Sequence, residues 1–157
     1  MPVTSIEHQR GEFRITTDPA AADVDAVHAY LARSYWAENV AREIVARSLA
    51  GCIPFSVFHG EEQIGLARVI TDRATFAYLS DVYILETYRG RGLAVWLMET
   101  VMAHPDLQGL RRFSLTTRDA HGLYRRFGFA DLAEPARHLE ILRSGLYRQP
   151  NAGAKRS

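Results

Sequence analysis

A glycine-bearing turn lies between a strand-like segment and a helix-like segment, and it limits the folds open to this chain. The turn consists of Tyr88, Arg89, Gly90, Arg91, Gly92, Leu93 and Ala94. An apolar run at 76–85 precedes it, and a helical pattern at 94–102 follows it. Glycine permits tight turns and close approach of the backbone to a ligand. Because the first N–H groups of a helix lack intrahelical partners and lie at the positive end of its dipole, the turn predicts a phosphate site bound mainly by main chain.

Three alternatives to this interpretation compete for the turn, and the residues argue against the first two. A Walker A loop requires a Gly-Lys-Ser/Thr ending, whereas Gly92 is followed by Leu93. A dinucleotide fingerprint requires a third glycine and an acidic residue on a second parallel strand, and neither is evident. The third alternative is a tight strand-to-helix turn that binds no ligand.

Composition and charge exclude several classes of protein. The 157 residues, 47% of them hydrophobic and 24% charged, predict one globular domain over 1–150. The near-balance of 19 basic and 18 acidic residues argues against a nucleic-acid partner, and no apolar run is long enough to span a membrane. Cys52 is the only cysteine, the N-terminus lacks the apolar core of a signal peptide, and no spacing suggests a metal site. We therefore expect a cytoplasmic protein without a metal, with a disordered tail at 151–157.

Hydrophobic periodicity predicts an α/β chain. The predicted strands are 12–16, 53–58, 63–71, 76–85 and 112–116, followed by two last strands from Phe129 onward and at 138–142. The predicted helices are 24–35, 40–49, 94–102 and 120–127, with Asp119 as the N-cap of the fourth and Gly128 as its left-handed C-terminal residue. A run of adjacent strands followed by a β-α-β unit indicates a mixed sheet with helices packed on it.

Two motifs in this order resemble the GNAT superfamily of acyl-CoA-dependent N-acyltransferases. The family's phosphate motif, Arg/Gln-x-x-Gly-x-Gly/Ala, is matched by residues 89–94. The segment 119–129 resembles the family's second motif in its Tyr124 and its Gly128-Phe129 pair. The resemblance is clear over 63–131, and it implies a mixed, mostly antiparallel central sheet flanked by helices.

The resemblance is looser over the two N-terminal helices. The short segments 34–36, in this region, and 117–121, near the second motif, resemble those of an uncharacterised bacterial subgroup of the family. That resemblance implies no particular substrate. At the level of the superfamily, the resemblance implies an N-acetyltransferase that uses acetyl-CoA as its acyl donor and that often forms homodimers.

The resemblance also implies which residues bind the acyl donor. Backbone N–H groups at 91–94 would hold the pyrophosphate, while Arg89 and Arg91 either add charge or form a solvated basic turn. The backbone of the preceding strand would bond the pantetheine arm as an added strand, and the N–H of Tyr83 or Ile84 would polarise the acetyl carbonyl. The implied donor-binding residues are Val82, Tyr83, Ile84, Arg89, Gly90, Arg91, Gly92, Leu93, Ala94 and Asp119.

Transfer to an amine requires two proton movements. An alkylamine with a pKa of about 10.4 must lose a proton before it attacks, and a departing thiolate leaves more easily once protonated. Tyr124 matches the family's general-acid tyrosine, and a phenol keeps its proton at neutral pH. The alternative role for Tyr124 is a core residue beside Leu123 and Phe127.

Asp81 is the leading candidate for the general base. An aspartate within an otherwise apolar strand is locally inconsistent, and such inconsistencies often mark function. The alternative is a carboxylate bonded to neighbouring backbone or to an arginine. Glu38 and His28 are weaker candidates for the base. His28 is expected at a semi-buried position, and His121 is expected on the solvated side of its helix. A water relay with no single base is also open.

Three aromatic residues lie where the family builds its acceptor wall. Tyr30, Tyr35 and Trp36 are predicted to stack on a cationic or aromatic acceptor, although at least one of them is expected to be a core residue. The acceptor would be a primary amine of a small molecule or a protein. Since Cys52 lies outside the inferred site, transfer is expected to be direct. The other classes of function are a non-catalytic acyl-CoA-binding regulatory module and a phosphate-anion binder unrelated to coenzyme A.

Overall fold

Six strands form one sheet in the computed structural model, which describes residues 5–148. The strands are β1 (Glu7–Arg10), β2 (Phe13–Thr16), β3 (Ile53–His59), β4 (Glu62–Thr71), β5 (Phe76–Ile84) and β6 (Arg112–Leu115). They lie side by side in chain order, and every neighbouring pair is antiparallel except β5 and β6, which are parallel. The prediction of a mixed, mostly antiparallel sheet is confirmed. The predicted tail at 151–157 lies outside the described residues.

Within residues 5–148, four α-helices flank the sheet, and two apolar clusters join them to it. The helices are α1 (Val24–Leu31), α2 (Arg42–Ala50), α3 (Leu93–Met102) and α4 (His121–Arg125). The first two pack on Leu66 and Tyr83, which places them on one face of the sheet. Helix α3 packs through Leu97 and Met98 into a second, larger cluster with α4. None of these helices has the length and apolar composition needed to cross a bilayer.

A β-bulge interrupts the pairing of β4 with β5. Leu66 lies opposite Tyr83 and Arg68 lies opposite Ser80, so the one residue between them on β4 faces two on β5. One of those two is Asp81, which has a left-handed φ of 52° although it is not a glycine. A bulge bends its strand and re-aims the side chains beside it. The bulge therefore sets the direction of the Asp81 side chain.

The sheet packs tightly beside this bulge. Gly65 lies opposite Ile84, and a Cβ at position 65 would lie 2.7 Å from the carbonyl oxygen of Tyr83. Real Cβ atoms do not approach a backbone oxygen so closely, so glycine is required there for β4 to reach β5. The close approach fixes the position of Tyr83 and Ile84.

The two parallel strands separate after only four residue pairs. β5 pairs with β6 from Phe76 to Leu79, opposite Arg112 to Leu115. Within the described chain, residues 80–84 of β5 have no strand partner on this side. The separation leaves an open strand edge in the middle of the molecule.

The ends of several predicted elements differ from those observed. The strand β1 was not predicted, because all four of its residues are exposed and none forms an apolar face. Helix α1 ends at Leu31 and not at Tyr35. The Ser34 hydroxyl donates to the Leu31 carbonyl and accepts a hydrogen bond from the Ala37 N–H, so a local turn replaces the next turn of helix. The elements α2, β5, α3 and β6 lie within two residues of their predicted bounds.

The C-terminal predictions require correction. Residues from Phe129 onward and at 138–142 form no strand in the described chain, because β6 is the edge of the sheet and neither segment pairs with it. Asp119 is not the N-cap of α4, since the cap position is Ala120, whose N–H donates to Thr117 Oγ1. Gly128 does adopt the predicted left-handed conformation, with a φ of 97°.

Candidate functional site

The glycine turn presents the start of α3 to open space. Gly92 is the N-cap of α3, with a φ of 78°, and no side chain caps the helix there. A Cβ placed on Gly92 would have no atom within 4 Å. The first N–H groups of α3, from Leu93 and Ala94, are therefore available to an anion at the positive end of the helix dipole.

The two arginines of the turn differ in their contacts. The Arg89 guanidinium turns inward, where Nε donates to the Ile84 carbonyl at 2.9 Å and Nη2 donates to the Tyr30 hydroxyl at 3.1 Å. Arg91 is exposed and lies 5.5 Å from the centre of the Tyr88 ring. Arg89 thus braces the turn against β5 and α1, whereas Arg91 is the side chain better placed to add charge.

A cleft of about 490 Å³ extends from the turn along the open edge of β5, and we call it the donor cleft. Val82, Tyr83 and Ile84 form one wall, and Leu123 and Tyr124 form part of the opposite wall. A strand edge with unpaired N–H and C=O groups binds an extended chain as an added strand does. The donor cleft therefore fits a long, amide-containing ligand that ends in a phosphate.

A second cleft of about 480 Å³, the acceptor cleft, lies on the other side of Tyr124. Its polar and aromatic lining includes Tyr35, Trp36, Tyr78, Asp81, Thr116, Arg118, Asp119 and Glu140. The residues common to both clefts are Tyr35, Trp36, Val82, Arg118, Asp119, Ala120 and Tyr124. The clefts consequently meet at Val82 and Tyr124.

Asp81 lies in the acceptor cleft with its carboxylate held by two donors. Arg68 Nε donates to Oδ2 at 2.8 Å, and Trp36 Nε1 donates to Oδ1 at 2.7 Å. The side chains of Asp81 and Arg68 are only 9% and 14% exposed. A carboxylate has about four lone-pair sites, so each oxygen keeps the capacity to accept one more proton or hydrogen bond. The alternative to a general base was a carboxylate paired with an arginine. Asp81 has that ion pair and also faces the cleft.

Tyr124 is largely buried and lines both clefts. Burial raises the pKa of its phenol to about 12, with smaller contributions from Tyr35 and Asp119. Its ring packs edge-on against Phe129, with the ring centres 6.0 Å apart. The hydroxyl therefore stays protonated at neutral pH and is held in place by packing.

The three predicted acceptor-wall aromatics separate into two groups. Tyr30 is buried and stacks on Tyr83, with the ring centres 3.9 Å apart and the planes at 5°. Tyr35 and Trp36 are 52% and 39% exposed and line the acceptor cleft. The Arg118 guanidinium covers the Tyr35 ring at 3.6 Å. Tyr30 is thus the expected core residue, and it does not reach the acceptor cleft.

The weaker base candidates do not line the acceptor cleft. His28 Nε2 bonds the Val40 carbonyl at 2.9 Å, which confirms the expected semi-buried position. Glu38 and His121 are exposed, His121 as predicted. Cys52 lies near Arg68, and burial raises the pKa of its thiol to about 12. Such a thiol is a poor nucleophile at neutral pH, which is a reason for direct transfer independent of its location.

The sequence-based prediction missed several residues of the acceptor cleft or its support. Arg68 is a charged residue in the otherwise apolar run of β4, so the local inconsistency that identified Asp81 also marks Arg68. Tyr78 donates its hydroxyl to Thr116 Oγ1 at 3.0 Å across the point where β5 and β6 separate. Arg118 and Glu140 lie in irregular segments, and no sequence signal distinguishes them from other surface charges.

A comparison with known families resolves the identity of the fold. The sequence profile of the acetyltransferase (GNAT) family matches residues 15–129. The chain belongs to the GNAT family. It is therefore an acetyltransferase by family, and the glycine turn, Asp81 and Tyr124 all lie within the matched region. Residues 130–148, including Glu140 at the acceptor cleft, lie outside that region.

Individual relatives agree with this assignment. A candidate GNAT acetyltransferase from Xanthomonas campestris pv. campestris, known from a crystal structure, is 45% identical to this chain in sequence. The two structures superpose with a TM-score of 0.86, and the match covers 87% of this chain and 97% of the Xanthomonas chain. A candidate acetyltransferase of Gibberella zeae is 33% identical over 149 residues, which span 80% of this chain and 83% of that protein. A candidate acetyltransferase from Clostridium acetobutylicum, solved with acetyl-CoA, shares the fold with a TM-score of 0.62 at 17% identity, over 87% of this chain and 96% of its own.

Proposed function

We propose that this GNAT protein moves the acetyl group of acetyl-CoA directly to the primary amine of a small molecule. The observation that carries this proposal is the junction of the two clefts at Val82 and Tyr124. A donor that enters along β5 and an acceptor that enters beside Asp81 would meet there. The Clostridium relative solved with acetyl-CoA supports this choice of donor.

The donor cleft would hold acetyl-CoA mainly by main chain. The N–H groups of Leu93 and Ala94 would bond the pyrophosphate, which fits the uncapped start of α3. The open edge of β5 would bond the pantetheine amides, and the N–H of Tyr83 or Ile84 would polarise the thioester carbonyl. Asp119 is exposed at the margin of this cleft, where its charge would face the pantetheine arm rather than cap α4.

Asp81 and Tyr124 would serve the two proton movements of the reaction. Asp81 accepts a proton from the acceptor ammonium, directly or through a water molecule, and the neutral amine then attacks the thioester carbon. A C–N bond forms and the C–S bond breaks. Tyr124 gives its proton to the departing sulfur. The attacking nitrogen, which is cationic once the C–N bond has formed, loses its second proton, and this proton restores the Tyr124 hydroxyl through solvent. Asp81 then releases the first proton to solvent. The raised pKa of Tyr124 keeps its hydroxyl protonated before the step.

The charges of the acceptor cleft favour a cationic acceptor. Its lining includes the carboxylates of Asp81, Asp119 and Glu140, and Arg118 is the one basic residue of that lining in the described chain. Arg68, which does not line the cleft, forms the ion pair with Asp81. The exposed rings of Tyr35 and Trp36 can hold an ammonium group or an apolar substituent. A cleft of about 480 Å³ accommodates a small amine, and a protein amine on a side chain remains the alternative acceptor.

The proposed activity is tested by release of coenzyme A thiol over a panel of amines. We expect turnover with small cationic primary amines and none with matched alcohols or carboxylates. Binding of coenzyme A without turnover on any amine would instead favour the regulatory module. A melting temperature that rises with adenine nucleotides but not with coenzyme A would favour the unrelated anion binder.

The role proposed for Asp81 predicts a pH-dependent defect. Asp81→Asn keeps a residue type that tolerates a left-handed φ and removes only the charge. We expect kcat/KM to fall about 100-fold at neutral pH. The deficit should shrink as the pH approaches the pKa of the acceptor amine, because less of the amine then needs a base.

The matched control for Asp81→Asn is Asp106→Asn. Asp106 forms a half-buried ion pair with Arg73, at 2.6 Å, and lies outside both clefts. It should lose stability without losing activity. A deficit in Asp81→Asn that is the same at every pH would assign Asp81 a purely structural role.

Location and assembly are proposed from the sequence. The lone Cys52 is compatible with the reducing cytoplasm, and cytoplasmic location stays part of the proposal. A homodimer, as the resemblance implies, is also part of the proposal.

A further inference from the structure

The three carboxylates that line the acceptor cleft differ in how their charge is balanced. Arg68 Nε lies 2.8 Å from the Asp81 carboxylate, and an Arg118 nitrogen lies 3.9 Å from the Asp119 carboxylate. Glu140 is exposed and forms no ion pair with any residue at 5–148. The lining of the cleft therefore has one negative charge, at Glu140, that the described chain does not balance.

Trp36 gives the same cleft an aromatic surface for a cation. Its Nε1 donates to Asp81, which fixes the indole in the cleft wall, and the residue is still 39% exposed. Arg118 covers the neighbouring Tyr35 ring at 3.6 Å, whereas no cationic side chain within 5–148 covers the indole of Trp36. An ammonium group is attracted to the face of an indole ring. A cationic ligand thus gains from both Trp36 and Glu140.

The chain holds Glu140 at the cleft from both sides in sequence. A 3-10 turn at Pro135–Arg137 precedes it, and Tyr147 after it packs on the cluster between α1, α2 and the sheet. Glu140 also lies outside residues 15–129, which match the family profile. The charge at this wall can therefore differ between relatives while the residues that transfer the acetyl group stay the same. Glu140 is consequently placed to select the acceptor rather than to act in the chemistry.

We propose that the acceptor carries a second permanent cation, as an alkyl diamine does, and that Glu140 binds it, a role that rests on the acetyl transfer proposed above. The reacting ammonium lies beside Asp81, and the second ammonium balances the charge of Glu140. The methylene chain between the two nitrogens packs on Trp36 and Leu142, which line the same cleft. A complementary charge at the far end of a ligand fixes its orientation and distinguishes it from neutral analogues.

Acetylation changes the charge of a diamine at one end only. The reacting ammonium becomes a neutral amide, coenzyme A leaves as its thiol, and one proton is released to solvent. For a second transfer, the amide would have to lie at Glu140, where it brings no charge. A diamine should therefore be acetylated once, and mass spectrometry should show that the monoacetyl product accumulates.

The test compares amines that differ only at the end away from the reaction. We expect kcat/KM to be about tenfold higher for diaminobutane than for pentylamine, which has a methyl group in place of the second ammonium, or for aminobutanol, which has a hydroxyl. Glu140→Gln keeps the size of the side chain and removes its charge, so the ratio of kcat/KM for diaminobutane to that for pentylamine should fall about tenfold. Glu140→Lys should invert the preference, so that aminopentanoate is acetylated faster than diaminobutane.

The matched control is Glu134→Gln. Glu134 is an exposed carboxylate that pairs with Arg137 at 3.2 Å and lines neither cleft. This variant should keep the wild-type ratio of diaminobutane to pentylamine. An equal loss in both variants would show a general effect of surface charge and would overturn the role of Glu140.

Calorimetry of diaminobutane with the coenzyme A-bound protein gives a second readout that needs no turnover. The affinity of the wild type should exceed that of Glu140→Gln about tenfold. If this difference holds while no amine is acetylated, the cation site stands and the proposed acetyl transfer fails. If amines are acetylated with no preference for diaminobutane, or with a preference that Glu140→Gln leaves unchanged, the cation site is overturned and the acetyl transfer stands. Neither turnover nor a difference in affinity would overturn both.

Discussion

Gly92→Glu is expected to abolish measurable binding of coenzyme A, with a dissociation constant raised at least about 100-fold. The new side chain would occupy the open space in front of α3, and its carboxylate would face the N–H groups that the proposal assigns to the pyrophosphate. The like charges repel, and the helix start that should receive the anion is covered. Isothermal calorimetry with coenzyme A measures the effect without any acceptor.

Backbone strain is the competing explanation for such a loss, and a second glycine controls for it. Gly109 also has a left-handed φ, 72°, and a Cβ there also meets no atom within 4 Å, but it lies in the loop before β6 and outside both clefts. A non-glycine residue in this conformation costs about 1–2 kcal/mol in either place. Gly109→Glu should therefore lose similar stability and keep its affinity. Retained affinity in Gly92→Glu would contradict the pyrophosphate assignment.

Tyr124→Phe should lower kcat about 100-fold or more and leave the affinity for coenzyme A nearly unchanged. Only the hydroxyl is removed, and no protein group of the described chain bonds that hydroxyl, so the fold should be little affected. Single-turnover measurements at saturating donor separate the chemical step from binding. Tyr147→Phe is the matched control, since Tyr147 packs on the α1–α2 cluster and lines neither cleft.

The pH dependence gives a second check on Tyr124. The protonated phenol is the active form of a general acid, and a pKa raised to about 12 extends that form well above neutral pH. The rate of the wild-type chemical step should consequently show no alkaline decline from this group below about pH 10. An unchanged kcat in Tyr124→Phe would remove the acid role, and a decline near pH 9 that disappears in the variant would show that the phenol ionises more easily than its burial implies.

The sequence predicted those parts of the candidate site whose backbone conformation is set by residues close together in the chain. The glycine turn, α3 and the run of β5 follow from glycine, apolar periodicity and helix starts, and the structure has them within two residues of the expected bounds. Helix α1 was predicted too long, because the spacing of Tyr35 continues the helical pattern past the residue where the chain turns.

The features that the sequence did not reveal depend on register between strands. The bulge places Asp81 opposite β4. The residue with the left-handed φ is Asp81 itself, so no glycine or proline indicates the bulge in the sequence. The pairing of Asp81 with Arg68 requires two strands to align across 13 residues of chain. The alternating pattern at 138–142 is typical of a strand, but a strand also needs a neighbouring strand to pair with. The pattern does not say whether such a partner is present.

The two clefts differ in what surrounds them, and this difference bears on how such enzymes diverge. The donor cleft includes the end of β5 and the start of α3, and it shares Tyr35, Trp36 and residues 118–120 with the acceptor cleft. The irregular residues that line the acceptor cleft and not the donor cleft are Thr116, Thr117, Glu140 and Leu142. Irregular surface segments accept substitutions and insertions that a sheet does not. Descendants of one ancestral chain can therefore change the amine they acetylate by mutations that leave the sheet and the coenzyme site intact.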